Sequence, residues 1–317
     1  MPVNLDKPHL WKDDTRASVD HYNKWFMKFA PKAFRDTRVD VTKKVEKAVL
    51  DSNDMRDLSP DLLKAWPGVL PTLRMSCCPP LAVDRLIGLS YASKSLVKNM
   101  ELGRLSLKMR EELLAMQLAS IANVISRLFD PDIFVWLPER REPTAEERLR
   151  ASTIVADRLT GAVANPIIKN AQEKRQLAEI AAYLKKKGYN KKTHSPGAPL
   201  DTMAPGTFTF HYPVLTGAEG HQVFVSVDAL IQPHVPRANR LPVMVEAKSA
   251  GDFTNTNKRR KEEAKKISQL KATFGNDVCY VVFLCGYFDS GYLGYEAADG
   301  IDWVWEHRIS DFDQLGL

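Results

Sequence analysis

Three charged residues, Asp228, Glu246 and Lys248, have the types and spacing that suit metal-assisted hydrolysis. Glu246 and Lys248 close an apolar run, and residues two apart in a strand point to the same face, roughly 7 Å apart. Asp228 lies near the end of the preceding apolar run. If the two strands pair, two carboxylates and one ammonium converge at one end of a sheet. Carboxylate oxygens are ligands that Mg²⁺ prefers, and a neighbouring lysine can orient or deprotonate an attacking water.

The local context separates this Glu-x-Lys from a second one in the chain. The first closes an apolar strand, follows a strand that supplies an aspartate, and precedes a basic segment. The alternative is a solvent-exposed strand tip that happens to be charged. Residues 263–265 form the second Glu-x-Lys inside a charged helix, and we interpret them as solvent-exposed surface.

The elements that must position these residues begin near residue 188, where a loop rich in Lys, Pro, Gly and Ser is followed by strand-like apolar runs. Apolar runs predict four strands, at 207–214, 223–231, 241–248 and 278–288. A charged helix is predicted at 257–274, with Ile267, Leu270 and Phe274 on one face. Three consecutive strands favour an antiparallel meander, and the helical crossover adds the fourth. The pattern therefore predicts a mixed sheet covered by helices.

The first half of the chain is predicted to be helical. One helix is expected to open at Asp40, and two further helical stretches cover 81–98 and 105–129. Another helix is expected to open at Pro143 and Thr144, with Glu147 completing a capping box.

Composition and charge narrow the class of protein. The chain has 317 residues and no apolar run of about 18 residues, so no membrane span or membrane partner is expected. Its four cysteines include no Cys-x-x-Cys pair, which argues against a zinc cluster or a disulfide framework. Residues 161–275 carry 18 Lys and Arg against 9 Asp and Glu. A basic segment of this kind suggests a polyanionic partner such as nucleic acid, although it is also compatible with an ordinary charged surface.

The motif resembles a known family. Asp228, then 17 residues, then Glu-Ala-Lys, on a helix–three strands–helix–strand order, is similar to the PD-(D/E)xK nuclease superfamily. The segments NPIIKNAQEKRQLAEIAAYL, VSVDALIQP and VMVEAKSAGDFTNTNKRRKEEAKK most resemble XamI-type type II restriction endonucleases. The resemblance covers about residues 165–288. Val227 stands where the superfamily motif has proline, a position that often varies.

The resemblance implies a fold, a cofactor and a reaction. The fold class is α+β, with a mainly helical region at 1–160 for DNA binding, dimerisation or both, and a nuclease core at 161–317. Asp228, Glu246 and the backbone carbonyl of Ala247 would bind Mg²⁺, and Lys248 would act on the attacking water. The product would carry a 5′-phosphate and a 3′-hydroxyl.

Glu173 is a further candidate for catalysis. Asn165 and Pro166 suit the start of a helix, and Glu173 is expected on its buried face, four residues before Leu177. An inward glutamate needs a partner, because unpaired buried charge is costly. In the superfamily a glutamate of the first helix often joins the metal site. The alternative is a structural ion pair with a lysine or arginine.

The segment that follows the Glu-x-Lys strand is a candidate DNA contact. Its Arg and Lys side chains can neutralise phosphates, and Asn and Arg can also read base edges. The alternative is a solvated helix start. The candidate DNA-binding residues are Asn255, Asn257, Lys258, Arg259, Arg260 and Lys261.

Together these features predict a cytoplasmic type II restriction endonuclease that cuts double-stranded DNA at a short palindrome, GTCGAC-like by the resemblance. A single Asp…Glu-x-Lys set reaches one strand at a time, so a twofold homodimer is expected. Two alternatives stay open: a PD-(D/E)xK nuclease of repair or recombination, and a non-cutting DNA-binding protein on a degenerate nuclease fold.

Overall fold

The structure is a computed structural model that describes residues 2–105, 108–217, 221–254 and 256–317, without the side chains of 256–259. It divides into two compact units. One is formed by Ala30–Ile168, and the other by the residues up to Phe29 together with Lys169–Leu317.

The helical unit is built by one end of each of two long helices and by the short helices between them. The long helices are α1 (Trp11–Asp51) and α7 (Ala145–Lys186), and each also contributes to the second unit. Between them lie α2 (Pro60–Ala65), α3 (Leu70–Met75), α4 (Val83–Ser90), α5 (Lys94–Glu101) and α6 (Glu111–Leu128). Leucine, isoleucine and valine at helical spacing form its core, as with Leu114, Leu118, Ile121 and Ile125 of α6.

The second unit is a six-stranded mixed sheet. Its strands are β1 (Asn190–Lys191), β2 (Thr207–Thr216), β3 (Val223–Gln232), β4 (Val243–Ala250), β5 (Tyr280–Gly286) and β6 (Asp302–Trp305), and they are adjacent in that order. β2, β3 and β4 pair antiparallel, while β4, β5 and β6 pair parallel. The helices α8 (Thr256–Phe274) and α9 (Ser290–Ala298) provide the crossovers that parallel pairing requires.

Each face of the sheet carries its own apolar core. On one face Ile267 and Leu270 of α8 and Leu293 of α9 pack against strand residues such as Met244 and Val282. On the other face Leu177, Ile180 and Leu184 of α7 pack against strand residues such as Val245, Val281 and Phe283. Because side chains alternate along β4, Val243 and Val245 belong to the α7 face, whereas Met244 belongs to the α8 face.

The alternation breaks on β2 and β3 where the two strands face each other at His211 and Asp228. Phe208 on β2 belongs to the α7-side core, but Tyr212, an even number of residues later, belongs to the α8-side core. The pairing passes directly from Phe210–Ala229 to Tyr212–Val227. His211 has a φ of 51°, a left-handed conformation in which histidine is more tolerated than most residues. The irregularity therefore lies beside one of the candidate site residues.

Several sequence predictions are confirmed. The fold class is α+β, and all four predicted strands and the helix between the third and fourth are present. The capping box is also present: the Thr144 backbone N–H donates to Glu147 Oε2 at 2.8 Å, and the Glu147 N–H donates to Thr144 Oγ1 at 3.2 Å.

Two predicted helix starts are wrong. Asp40 lies inside α1, which begins at Trp11, and Asn165 and Pro166 lie inside α7, which begins at Ala145. Proline lacks the N–H that a helix interior uses, so it favours a first turn, but packing along a 42-residue helix overrides this preference at one position.

The sequence prediction also missed parts of the sheet and joined two helices. The short strands β1 and β6 were not predicted, and the stretch 81–98 is divided between α4 and α5 at Tyr91, whose φ is 53°. The assignment of 1–160 and 161–317 to separate roles stays a prediction.

Two expectations from composition can be compared with the structure. Among the described helices, none is long and apolar enough to cross a membrane. All four cysteines are free thiols; Cys77, Cys279 and Cys285 are buried, but Cys78 is exposed.

The close approach of β4 and β5 beside the site depends on a glycine. Gly286 has a φ of 100°, and a Cβ there would overlap the carbonyl oxygen of Ala250, which also accepts the Tyr287 N–H at 3.0 Å. Gly275 also has a positive φ, of 87°, but open space surrounds its missing Cβ.

We expect Gly286→Ala to lower the free energy of unfolding by about 3 kcal/mol or more, and Gly275→Ala by about 1 kcal/mol. Urea denaturation of both variants measures this, and equal losses would contradict it.

Candidate active site

The pairing of β3 with β4 brings Asp228 and Glu246 together. The antiparallel register runs from Ile231–Val243 to Ala229–Val245, so the next residues along the two strands are Asp228 and Glu246. Asp228 Oδ2 accepts a hydrogen bond from the backbone N–H of Ala247 at 2.8 Å. The aspartate is therefore fixed against the strand that carries the other site residues.

Glu246 is the centre of the charged cluster, and its side chain is buried. One of its oxygens, Oε1, lies 3.0 Å from Lys248 Nζ and 2.6 Å from Lys266 Nζ. The other, Oε2, is buried and has no hydrogen-bond partner among the described residues. Lys266 also donates to the Ser226 carbonyl at 2.9 Å. Two ammonium groups thus share Oε1 of Glu246, while Oε2 has no partner among the described residues.

A second carboxylate, on α8, also contacts Lys248. Glu263 on α8 is fully buried, and its Oε1 lies 3.2 Å from Lys248 Nζ. The hydroxyl of Tyr292 on α9 donates to Glu263 Oε2 at 3.4 Å. The interpretation of residues 263–265 as solvent-exposed surface is therefore wrong for Glu263, although Lys265 is exposed. Glu263 shares the apolar helix face of Ile267 and Leu270, which turns it toward the sheet.

Burial and mutual charge shift the pKa values in this cluster. Burial disfavours the Lys248 ammonium, but Glu246 and Glu263 outweigh it, so the pKa of Lys248 is raised above its ordinary value. Burial raises the pKa of Asp228, and the nearby Glu246 raises it further. Burial and the charge of Glu263 raise the pKa of Glu296, which is fully buried on α9, to about 8. At neutral pH Lys248 is therefore an ammonium and Glu296 is mostly protonated.

Glu173 approaches Asp228, although not as predicted. It is exposed, whereas its neighbours Gln172 and Gln176 are buried, so the expected inward-facing position is wrong by about one residue of helix rotation. Even so, Glu173, His211 and Asp228 each place one ligand atom within 4.8 Å of the others. Two carboxylates and an imidazole therefore meet at the sheet irregularity.

The α7 helix also fixes the backbone of the Glu-x-Lys strand. The amide of Gln176 donates to the carbonyls of Lys248 and Phe283, each at 3.3 Å. Gln176 therefore links β4 to β5 at Lys248.

The candidate DNA-binding segment is described only in part. Asn255 and the side chains of Asn257, Lys258 and Arg259 lie outside the described part of the structure. Lys261 is exposed, and the Arg260 guanidinium carbon stacks 3.8 Å from the centre of the Tyr295 ring. The role of these six residues stays a prediction.

Another group of possible ligands, His21, Cys285 and Glu306, is an ion-paired structural cluster. Arg175 pairs with Glu306 and donates to Cys285 Sγ at 3.4 Å. Burial raises the pKa of the Cys285 thiol, which keeps it protonated. A guanidinium in this position takes the place that a cation would need.

Three residues were not assigned to the site from the sequence: His211, Glu263 and Lys266. Helical spacing carried a signal for Glu263, which lies four residues before Ile267 on the apolar face of α8. His211 carried none, because its position opposite Asp228 depends on the register of β2 with β3. Lys266 required the packing of α8 on the sheet.

The buried Glu296 gives the folded protein a pH dependence that can be measured. Its pKa is about 8 in the folded protein against 4.5 ordinarily, so the stability linked to its protonated form is complete below pH 4.5 and is lost as the pH rises through 8. Glu296→Gln cannot ionise. We expect its free energy of unfolding, relative to wild type, to rise between pH 5 and pH 9 by up to about 4 kcal/mol. Denaturation at both pH values, with the exposed Glu262→Gln as control, measures this; a difference independent of pH would contradict it.

Comparisons with known proteins identify the family of the chain. The chain is 53% identical over 314 residues, 99% of each chain, to the type II restriction enzyme SalI of Streptomyces albus G. No solved structure matches. The sequence profile of the XamI restriction endonuclease matches residues 53–305, which include the whole Asp228–Glu246–Lys248 cluster. The chain therefore belongs to the XamI restriction endonuclease family.

Proposed function

We propose that this restriction endonuclease uses Mg²⁺ to hydrolyse double-stranded DNA at a short GTCGAC-like palindrome, leaving a 5′-phosphate and a 3′-hydroxyl. The observation that carries the proposal is the meeting of Asp228, Glu246 and Lys248 where β3 and β4 pair. The palindrome and the end chemistry come from the family resemblance.

The donor set fits a hard divalent cation. Asp228, Glu246 and the carbonyl of Ala247 would hold Mg²⁺, and they offer only oxygen atoms. The buried Oε2 of Glu246 has no hydrogen-bond partner among the described residues, as expected of an atom reserved for a ligand. Glu173 would join this set through its approach to Asp228, with His211 beside it. Bound there, Mg²⁺ would supply positive charge that stabilises the phosphate oxygens and the leaving group.

The chain's own groups prepare the site for the phosphate. The Ala247 N–H fixes the orientation of Asp228. Lys248 carries a proton because two carboxylates raise its pKa, so we assign it to orient the attacking water and to neutralise the phosphate. Lys266 neutralises Glu246, so the buried carboxylate has a counter-ion before the substrate arrives.

Binding of DNA would draw on the basic segment that surrounds the site. Residues 161–275 contain twice as many basic as acidic residues, and the segment at 255–261 follows the catalytic strand directly. Arg260 and Lys261 are its described side chains, and we assign the segment to phosphate and base contacts. Each chain has one Asp…Glu-x-Lys set in a strand, so we propose a homodimer that cuts both strands of a symmetric site.

Digestion of sequenced phage DNA tests the function. With Mg²⁺ the purified protein should give discrete fragments whose ends lie at one palindrome, and EDTA should prevent cleavage. Nicks confined to branched or gapped DNA would favour a repair nuclease, and DNA bound but uncut in Mg²⁺ would contradict the proposal.

Substitutions at the site should separate chemistry from binding. We expect Asp228→Asn and Lys248→Ala to slow cleavage by at least a hundredfold while DNA affinity in Ca²⁺ stays within about threefold, since phosphate contacts elsewhere supply most of the affinity. Lys265→Ala, in the second Glu-x-Lys, is the matched control and should cut like wild type. Cleavage by Lys248→Ala at the wild-type rate would place the catalytic lysine elsewhere.

A further inference from the structure

Among the described residues, Lys248 has two carboxylate partners, and they differ in what else they can bind. Glu246 lies on the strand beside Asp228, whereas Glu263 reaches Lys248 from α8. Glu263 is fully buried, and the Tyr292 hydroxyl fixes its other oxygen. Glu246 therefore faces the proposed cation, and Glu263 lies in the protein interior.

Binding of a divalent cation by Glu246 would reduce the negative charge that Glu246 offers to the Lys248 ammonium. Glu246 would then share its negative charge with the cation, and the cation would repel the ammonium nearby. A buried ammonium that loses its carboxylate partner is costly, because its charge is then uncompensated away from water. Of the two described carboxylates in contact with Lys248, Glu263 then stays available to the ammonium.

We propose that Glu263 is the positioning residue for Lys248, holding its ammonium in place when Glu246 binds the divalent cation. This role rests on the proposed metal-dependent cleavage. Glu263 would touch neither the cation nor the DNA, and would act through Lys248 alone.

The neighbouring Glu296 does not share this role. It is as deeply buried, but it stays mostly protonated at neutral pH because its pKa is raised to about 8 by burial and by Glu263. Burial raises the pKa of Glu263 as well, but the Lys248 ammonium beside it opposes that rise and favours its charged form. The two glutamates therefore form a matched comparison within one pocket.

Single-turnover cleavage by Glu263→Gln tests the proposal, because glutamine keeps the shape and removes the charge. We expect the rate at saturating Mg²⁺ to fall at least tenfold, with DNA affinity in Ca²⁺ and Mn²⁺ affinity by calorimetry both within twofold of wild type. Glu263→Asp, which restores the charge, should recover part of the rate. Glu296→Gln, buried and isosteric, and the exposed Glu262→Gln should both cut within twofold of wild type.

The other outcomes would overturn the proposal in distinguishable ways. An unchanged rate in Glu263→Gln would mean that Lys248 needs no second carboxylate. Loss of Mn²⁺ binding in the same variant would make Glu263 a ligand rather than a positioning residue. Equal slowing in Glu263→Gln and Glu296→Gln, without recovery in Glu263→Asp, would show a packing role only. If wild type itself did not cut with Mg²⁺, the proposed function would fail, and the role of Glu263 with it.

Discussion

Two ammonium groups share one oxygen of a buried carboxylate, and the rest of the site is arranged around this interaction. Lys248 and Lys266 both contact Glu246 Oε1, so the buried carboxylate has two cationic partners inside an apolar sheet. The second oxygen of Glu246, Oε2, has no hydrogen-bond partner in the part of the chain that the structure describes, so it is available to a cation. A cation that took this oxygen would compete with the lysines for the same charge.

Each surrounding strand and helix places residues around Glu246. β3 supplies Asp228 next to Glu246, and α8 supplies Lys266 and Glu263 from above the sheet. β5 pairs parallel with β4 along the segment that carries Lys248, and Gln176 of α7 donates to the Lys248 carbonyl. The irregularity at His211 turns the neighbouring strand so that Glu173, His211 and Asp228 converge at the same point.

The sequence predicted what depends on local periodicity and missed what depends on packing. Strand alternation placed Glu246 and Lys248 on one face, and the structure has them on one face. The Glu-x-Lys at 263–265 was misinterpreted because a charged helix suggests solvent exposure, yet Glu263 lies on the helix face that covers the sheet. The orientation of Glu173 around the helix axis could not be predicted, because its helix begins at Ala145 and not at Pro166. His211 needed a strand register that no local pattern contains.

The central claim is that Glu246 and Asp228 bind a divalent cation while Glu263 keeps Lys248 in place. Anomalous diffraction from crystals soaked with Mn²⁺ tests this most directly. A manganese peak within about 2.5 Å of carboxylate oxygens of both Asp228 and Glu246, with Lys248 Nζ still beside Glu263, is the predicted result. Crystals that bind Mn²⁺ elsewhere, while both lysines remain on Glu246, would contradict it.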